Sequence, residues 1–525
     1  MPTGGRPAGK EELIIMAATS ERTAGASPLK LNQENLPRIA ERGVAVPDYD
    51  RSQVSPGIVH FGVGGFHRAH QAMVLDDLHA AGLAMDWGIV GAGLLPGDSR
   101  MRDVMADQDH LYTLNLKHAD GTRDRRVIGS IVDYRFGPDD PEGLVSLMAA
   151  PATRIVSLTV TEGGYNVNPV TGEFEEDEPG VVADVASLRA GGLPATVFGY
   201  VVEALRRRRA AGIPPFTLAS CDNIAGNGDV ARAMFGAFAE LVDQELAGWI
   251  DSHVSFPNSM VDRITPVTTD ADREELLTQT GVEDAWPVVA EPFFQWVLED
   301  KFVDTRPEYE EAGVQVVDDV VPYEHMKLRL LNASHQGLAY FGTLAGYTYA
   351  HEAMADRDIA VYLRRYMDEE GTPSLDPVPG IDLVDYKDTL IQRFANPEIR
   401  DTLARLGAES SDRIPKWLVP VIKDNLVSGA PVEVSAAICA SWARYDEAVD
   451  ESGAPIDVVD RFADELKAVA ATQSDDPLAF VRQERFFGAV SEDERFSEPY
   501  LAALALLHSA GAKETVRRLA AHESL

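Results

Sequence analysis

Cysteine is nearly absent: Cys221 and Cys439 are the only two in 525 residues. That excludes a disulfide framework and a cysteine-rich zinc site, and it suits a reducing cytoplasm. Positive charge is scarce too. Forty-seven Lys and Arg stand against 84 Asp and Glu, for a net charge of −37. Such a surface repels nucleic acid and anionic membrane, so neither is expected as a partner. No apolar run approaches the ~20 residues of a membrane-spanning helix. The one apolar stretch near the start, LIIMAA, follows Glu11 and Glu12 instead of a basic segment, which argues against a secretory signal. HExxH and paired-cysteine spacings are missing, and His60, His67 and His70 straddle a glycine turn, so no metal site is expected.

What is present reads as a globular α/β chain, 45% hydrophobic and 25% charged. Residues 1–30, rich in Gly, Ala, Ser, Thr and Pro without periodicity, are expected to be disordered, with Met16 as an alternative start. From residue 31 to 318 short apolar runs alternate with amphipathic segments. GIVHFG (57–62), WGIVGAG (87–93), HLYTLNL, RIVSLTVT and FTLAS read as strands, and RAHQAMVLDDLHAAGL reads as a helix between the first two. Strands alternating with helices imply βαβ units and a parallel sheet. The run Arg206–Arg209 falls at a helix end and reads as a solvated C-terminal turn. From 319 to 525 helical periodicity dominates, over 322–345, 358–369, 382–395, 412–428, 434–449, 457–472 and 497–523, which implies a mostly α-helical second domain.

Several segments can carry chemistry. Gly62-Val63-Gly64-Gly65-Phe66-His67-Arg68 joins the first strand to the first helix, where glycines permit a tight turn and let a pyrophosphate approach the backbone. The usual third glycine is His67, so the dinucleotide fingerprint is incomplete. Asp98 follows the second strand and suits a ribose diol, or equally a helix cap. Glu162 and Asn223 directly follow strands, where open α/β sheets place ligands; turns of purely structural use would look the same. Cys221 reads as a buried, inert thiol. Asp262-Arg263 is either a structural pair or a substrate contact. The segment EHMKLRLLNASH is the most telling. At roughly 100° per residue, with Lys327 at zero, Glu324 falls near 60°, His335 near 80° and Asn332 near 140°. A desolvated lysine can act as a base, and an asparagine can hold the resulting oxygen. A solvated polar face is the plain alternative.

Taken in order, GIVHFGVGGFHRAHQ, SLTVTEGGY, SCDNIAGNG, SFPNSMVDRITPVT, AWPVVAEPFFQWVLEDKF, PYEHMKLRLLNASH and PGIDLVDYKDTLIQRF resemble the polyol-specific long-chain dehydrogenases, the mannitol dehydrogenase family. The resemblance implies a Rossmann-type domain followed by a helical domain, and metal-independent chemistry. It places the catalytic lysine on Lys327, two oxyanion-polarising asparagines on Asn223 and Asn332, and a substrate-orienting histidine on His335. Carboxylates for proton passage fall on Glu162 and Glu324, and polyol contacts on Asp262 and Arg405, with Arg413 and Lys416 as further contacts. Gly62, Gly64, Gly65, Phe66, Arg68 and Asp98 fall on the cofactor side. The implied cofactor is NAD, although Gly97 stands where a second acid often precedes Asp98.

Within the family, Gly163 replaces a lysine common in fructuronate reductases, which implies the mannitol branch and interconversion of D-mannitol and D-fructose. The alternatives are a D-fructuronate or D-tagaturonate reductase, a D-arabinitol 4-dehydrogenase, and a non-catalytic dinucleotide-binding regulator. A monomer or weak oligomer is expected.

Overall fold

The computed structural model describes residues 27–168 and 171–525. The extension expected to be disordered lies mostly outside them. Leu29–Lys30 do not fit that expectation: they form a short strand parallel to Val282–Glu283. Leu29 and Leu31 are buried with Ile39, Val44 and Val282, so apolar contact orders this piece despite its weak periodicity. The chain divides into two compact units. One runs to Lys117 and resumes over Thr122–Val320; the other comprises Val321–Leu525 with the turn His118–Gly121.

The first unit is built on a parallel sheet of five strands: β1 (Pro56–Phe61), β2 (Gly88–Gly93), β3 (Ile131–Phe136), β4 (Ile155–Leu158) and β5 (Thr217–Ser220). Their order is β3-β2-β1-β4-β5, and all neighbours run parallel. The sheet therefore grows both ways from β1, and its direction of growth reverses between β1 and β4. In such sheets ligands bind beyond the carboxyl ends at that reversal. Both faces are covered, which explains the unbroken apolar runs. Val59, Phe61, Val156 and Leu158 pack on Phe198, Val201 and Phe235. Ile58, Ile89 and Ile155 face Met73, Leu75 and Trp87.

The strand expected over HLYTLNL exists as Tyr112–Lys117, but it joins a separate sheet, antiparallel to Arg123–Ile128 and parallel to Val288–Ala290. A third sheet has Gln295–Glu299 at its centre, antiparallel to Ser259–Asp262 and parallel to Gln315–Val317. Alternation identifies a strand without naming its partner. Arg208 also departs from expectation. It is buried, and its guanidinium donates to the carbonyls of Met148, Ala150, Thr153 and Pro214 at 2.6–3.0 Å.

The second unit is helical. Val321–Met326, Lys327–Asn332 and Ala333–Leu344 run on as one rod whose middle piece is a π turn. A second π turn, Met367–Gly371, extends the helix Arg357–Tyr366. The expected helix 412–428 splits at Leu418 into Ser410–Trp417 and Val419–Ser428. Pro420, which has no N–H to continue the ladder, explains the break. Glu370, fully buried in the second π turn, accepts from Val434 N at 2.6 Å and Ser435 N at 2.8 Å. It thereby caps the helix Glu433–Tyr445, whose own N-cap, Val432, offers no acceptor.

Acid should loosen the two units unequally. Burial pushes His60 down to about 3, His70 and His79 to about 4, and His67 well below its ordinary value, all in the first unit. The unfolded chain takes up these protons first, so stability falls as pH drops from about 6.5 toward those values. Asp76, raised by burial to about 6, opposes this in part. In the second unit, burial raises Glu370 to about 7. Its contribution is full below the unfolded value near 4.5 and fades as pH rises through about 7. Hydrogen exchange corrected for intrinsic rates should show β1, β2 and β4 losing protection between about pH 7 and 5 while Glu433–Tyr445 holds. Equal losses would refute the assignment.

Candidate active site

At the end of β1 the chain turns at Gly62, with φ +93°. A Cβ there would collide with the Thr159 carbonyl, so positive φ and close approach both require glycine. Thr159 Oγ1 donates to Gly62 O at 2.6 Å, and His60 Nε2 lies 2.9 Å from the same hydroxyl. Around Gly64 a Cβ would find only Gly62 O, at 3.8 Å. Gly64 is exposed, and Gly65 and Phe66 are half-buried. The loop thus forms a glycine cradle whose backbone is open at Gly64.

His67, at the third-glycine position, lies flat on His60, with ring centroids 3.5 Å apart and planes 10° apart. The ring pair separates helix from strand where a glycine would let them touch. The helix expected from Arg68 onward starts instead as Gly65–Ala69, breaks at His70, and resumes as Gln71–Ala80. Stacked rings point their lone pairs side by side, so this pair does not converge on one ion. Among the described residues no three His, Cys, Asp or Glu side chains form a metal cluster.

Arg68 faces inward. Fully buried, it donates to Gly64 O at 3.2 Å and Trp286 O at 2.5 Å, and its guanidinium lies 5.1 Å from the Tyr112 ring. It holds the glycine loop from below. Arg263 has a similar role: its donors reach Ala69 O at 2.7 Å and Glu291 O at 3.0 Å. Asp262 is buried at the end of its strand.

Gly93 ends β2, where a ribose-binding acid commonly stands. A Cβ there would run into the Tyr134 hydroxyl and lie 2.5 Å from Asp98 Cβ. The acid beside it is Asp98, the first residue of the helix Asp98–Asp107. Its Oδ2 accepts from Leu94 N and Leu95 N, both at 2.9 Å. Asp98 therefore braces the strand-to-helix loop and does not cap its own helix.

Two loops beyond β4 and β5 carry Glu162 and Asn223, both exposed. Asp222 joins them. Its carboxylate accepts from Val160 N at 3.1 Å, Thr161 N at 2.8 Å and the Tyr165 hydroxyl at 2.7 Å. On the far side of Asn223, Asn227 Nδ2 donates to Asp222 O at 2.9 Å and Ser259 O at 2.8 Å. Asn223 is thus pinned on both flanks. Gly228 must be glycine, since a Cβ would meet the Phe256 and Pro257 backbone at 2.6 Å. Cys221 is buried, and burial pushes its thiol up to about 12, so it is inert.

In the second unit, Glu324, Lys327, Asn332 and His335 are each at most 8% exposed. The π turn changes their bearing. Bonds from i to i+5 close it, so residues five apart stand about one turn along on the same face, where α geometry sets them roughly 140° apart. Lys327 and Asn332 are that pair. Glu324 and His335 each stand three residues away in flanking α-helix, one turn along. By that backbone geometry the four share one face of the rod.

The π turn is supported from outside. The Tyr366 hydroxyl donates to Arg329 O at 2.9 Å, and Arg329 itself reaches Asp424 Oδ2 at 2.7 Å. Gly371 leaves room for Leu330, whose Cδ2 would be 2.7 Å from a Cβ. Asn332 Oδ1 is buried without a hydrogen-bond partner among the described residues. The His335 ring sits 4.5 Å from that of Phe394. Arg405 is exposed and pairs with Asp401, its Nε 2.6 Å from Oδ1. Arg413 donates to Leu406 O at 2.9 Å and lies 5.5 Å from the Trp417 ring. Sequence reasoning missed Tyr366, Gly371 and the bracing role of Asp222. An acid between a strand end and an exposed asparagine was the one signal available for the last.

Residues 56–311 match the mannitol dehydrogenase Rossmann domain, and residues 319–507 match the mannitol dehydrogenase C-terminal domain. The mannitol 2-dehydrogenase of Pyrenophora tritici-repentis is 46% identical over 517 residues, 97% of this chain and 89% of its own length. That of Aspergillus fumigatus is 44% identical over 488 residues, covering 91% and 96%. The solved ternary complex of Pseudomonas fluorescens mannitol 2-dehydrogenase with NAD and D-mannitol shares 45% identity and a TM-score of 0.83, covering 94% of this chain and 99% of that one. A D-sorbitol dehydrogenase in substrate-free form follows at 36% identity and a TM-score of 0.85, covering 93% and 100%. The chain belongs to the mannitol dehydrogenase family.

Proposed function

We propose that the protein is an NAD-dependent polyol dehydrogenase that interconverts D-mannitol and D-fructose. One observation carries the reading: Glu324, Lys327, Asn332 and His335 are all buried on one rod whose middle piece is a π turn. Similarity to mannitol 2-dehydrogenases over nearly the whole chain, and to a structure holding NAD and D-mannitol, supports it. The glycine loop fits the cofactor, because Gly62 makes the turn and Gly64 leaves its backbone open. When bound, NAD accepts the hydride leaving the carbinol carbon. Lys327 takes the hydroxyl proton, and Asn223 and Asn332 donate to the oxygen as it gains charge. His335 orients the polyol, Glu324 and Glu162 pass the proton to water, and Asp262 and Arg405 hold distal hydroxyls. No metal takes part in this scheme.

The test is NADH oxidation with D-fructose beside D-fructuronate, and NAD reduction with D-mannitol beside D-sorbitol and D-arabinitol. The reading expects the highest kcat/KM for the mannitol–fructose pair. A preference for D-fructuronate would overturn it.

Cofactor choice is assigned to Asp98, the acid closest to the end of β2. A carboxylate repels a 2′-phosphate and accepts from the ribose diol of NAD. Asp98→Ala should narrow the NAD over NADP ratio of kcat/KM by about tenfold, roughly 1.4 kcal/mol. An unchanged ratio would leave Asp98 only the bracing role seen at Leu94 and Leu95.

A further inference from the structure

The turn carrying Glu162 holds a conformation that its own residues disfavour. Thr161 has φ +65° and ψ 168°. That region belongs almost entirely to glycine, and a β-branched residue there is an outlier. Strain of this kind persists only where neighbours over-determine it.

The neighbour is Asp222. Its Oδ1 takes the Thr161 N–H at 2.8 Å, and its Oδ2 takes the Val160 N–H at 3.1 Å and the Tyr165 hydroxyl at 2.7 Å. Tyr165 Oη also lies 2.6 Å from Ser220 Oγ. With its own proton on Asp222, Tyr165 accepts from Ser220, so the chain runs in one direction from β5 to the carboxylate. Donors on both sides of Thr161 and Glu162 thus converge on one side chain that is 7% exposed. A carboxylate, an acceptor at both oxygens, satisfies all three. Asp222 also precedes Asn223, whose far flank Asn227 secures.

We propose that Asp222 is a positioning residue of the dehydrogenase reaction: it holds Thr161 in its strained conformation and so sets Glu162 and Asn223 at fixed places beyond the ends of β4 and β5. This rests on the roles given to Glu162 and Asn223 above. Asp222 touches neither substrate nor cofactor in this scheme.

Asp222→Asn tests it. The amide keeps the shape but turns a donor toward donors. Turnover with D-mannitol should fall about 10–100-fold while the NADH dissociation constant stays within about twofold. In a Glu162→Gln background the same substitution should cost much less, because residues acting through one another are non-additive. Thr161→Gly in the Asp222→Asn background should restore much of the lost turnover, since glycine adopts this conformation without being held. Fully multiplicative effects with Glu162→Gln, failure of Thr161→Gly to rescue, or a loss of NADH affinity matching the loss of turnover would each overturn the proposal. If Asp222→Asn does not fold, Tyr165→Phe removes one donor of three. A smaller fall with the same dependence on Glu162 supports the proposal, and unchanged turnover overturns it. Absence of wild-type turnover on every polyol would overturn the functional reading and this inference together, whereas normal wild-type turnover with multiplicative variants overturns the inference alone.

Discussion

Replacing Lys327 with alanine is expected to lower turnover by about 10²–10⁴-fold, the usual worth of a positioned general acid–base group. Fluorescence titration should show NADH still binding, because Lys327 lies in the helical unit and the glycine cradle belongs to the other. The lysine is buried, so truncation leaves a space that an external primary amine can enter. Added amine should restore part of the rate, and more so as pH rises and more of it is neutral. Near-normal turnover of Lys327→Ala at neutral pH would remove lysine from the mechanism.

Asn332→Ala is expected to cost about 2.7–4 kcal/mol in the transition state, or 10²–10³-fold in turnover, as for other single oxyanion donors. Stability should move differently. The substitution deletes a buried amide oxygen that has no partner among the described residues, and alanine is the better helix former by up to about 0.7 kcal/mol. The variant should therefore melt at or slightly above the wild-type temperature while losing activity. A fall in both would point to a structural amide. Asn223→Ala should show the same kinetic loss with little change in melting, because Asn223 is exposed and its flanks are pinned by Asp222 and Asn227.

The parts of the fold with a local cause were legible. The segment from Ile58 to Gly65 combines a buried apolar run with a glycine turn, and both signals lie within ten residues. That Lys327, Asn332 and His335 share one helical stretch was legible for the same reason, but their bearing was not. Counting at 100° per residue presumes α geometry. The π turn that corrects it is supported by Tyr366 and Gly371, some forty residues away, and no letter between 327 and 332 announces it. Arg68, Arg208 and Arg263 share a different difficulty. An arginine at a loop or helix end reads as exposed charge, yet each of these turns inward to carbonyls left unpaired where chain segments meet. Pairing of that sort depends on tertiary packing. The stacked His60 and His67 likewise replace a glycine contact by a device that no fingerprint lists.

The π turn has a bearing on length as well as on sequence. It holds one residue more than an α-helical stretch making the same advance. Removing any single residue between Leu328 and Leu331 would allow the rod from Val321 to Leu344 to close as ordinary α-helix. Lys327 and Asn332 would then stand four apart in α geometry, one turn along and roughly 40° around, so both would stay on one face of the rod. Exchanging Leu328 for another apolar residue disturbs packing alone, and losing its codon would trade the five-residue spacing of lysine and asparagine for the four-residue spacing that an α-helix holds on one face. This stretch of the gene carries one codon more than the register of its helix requires.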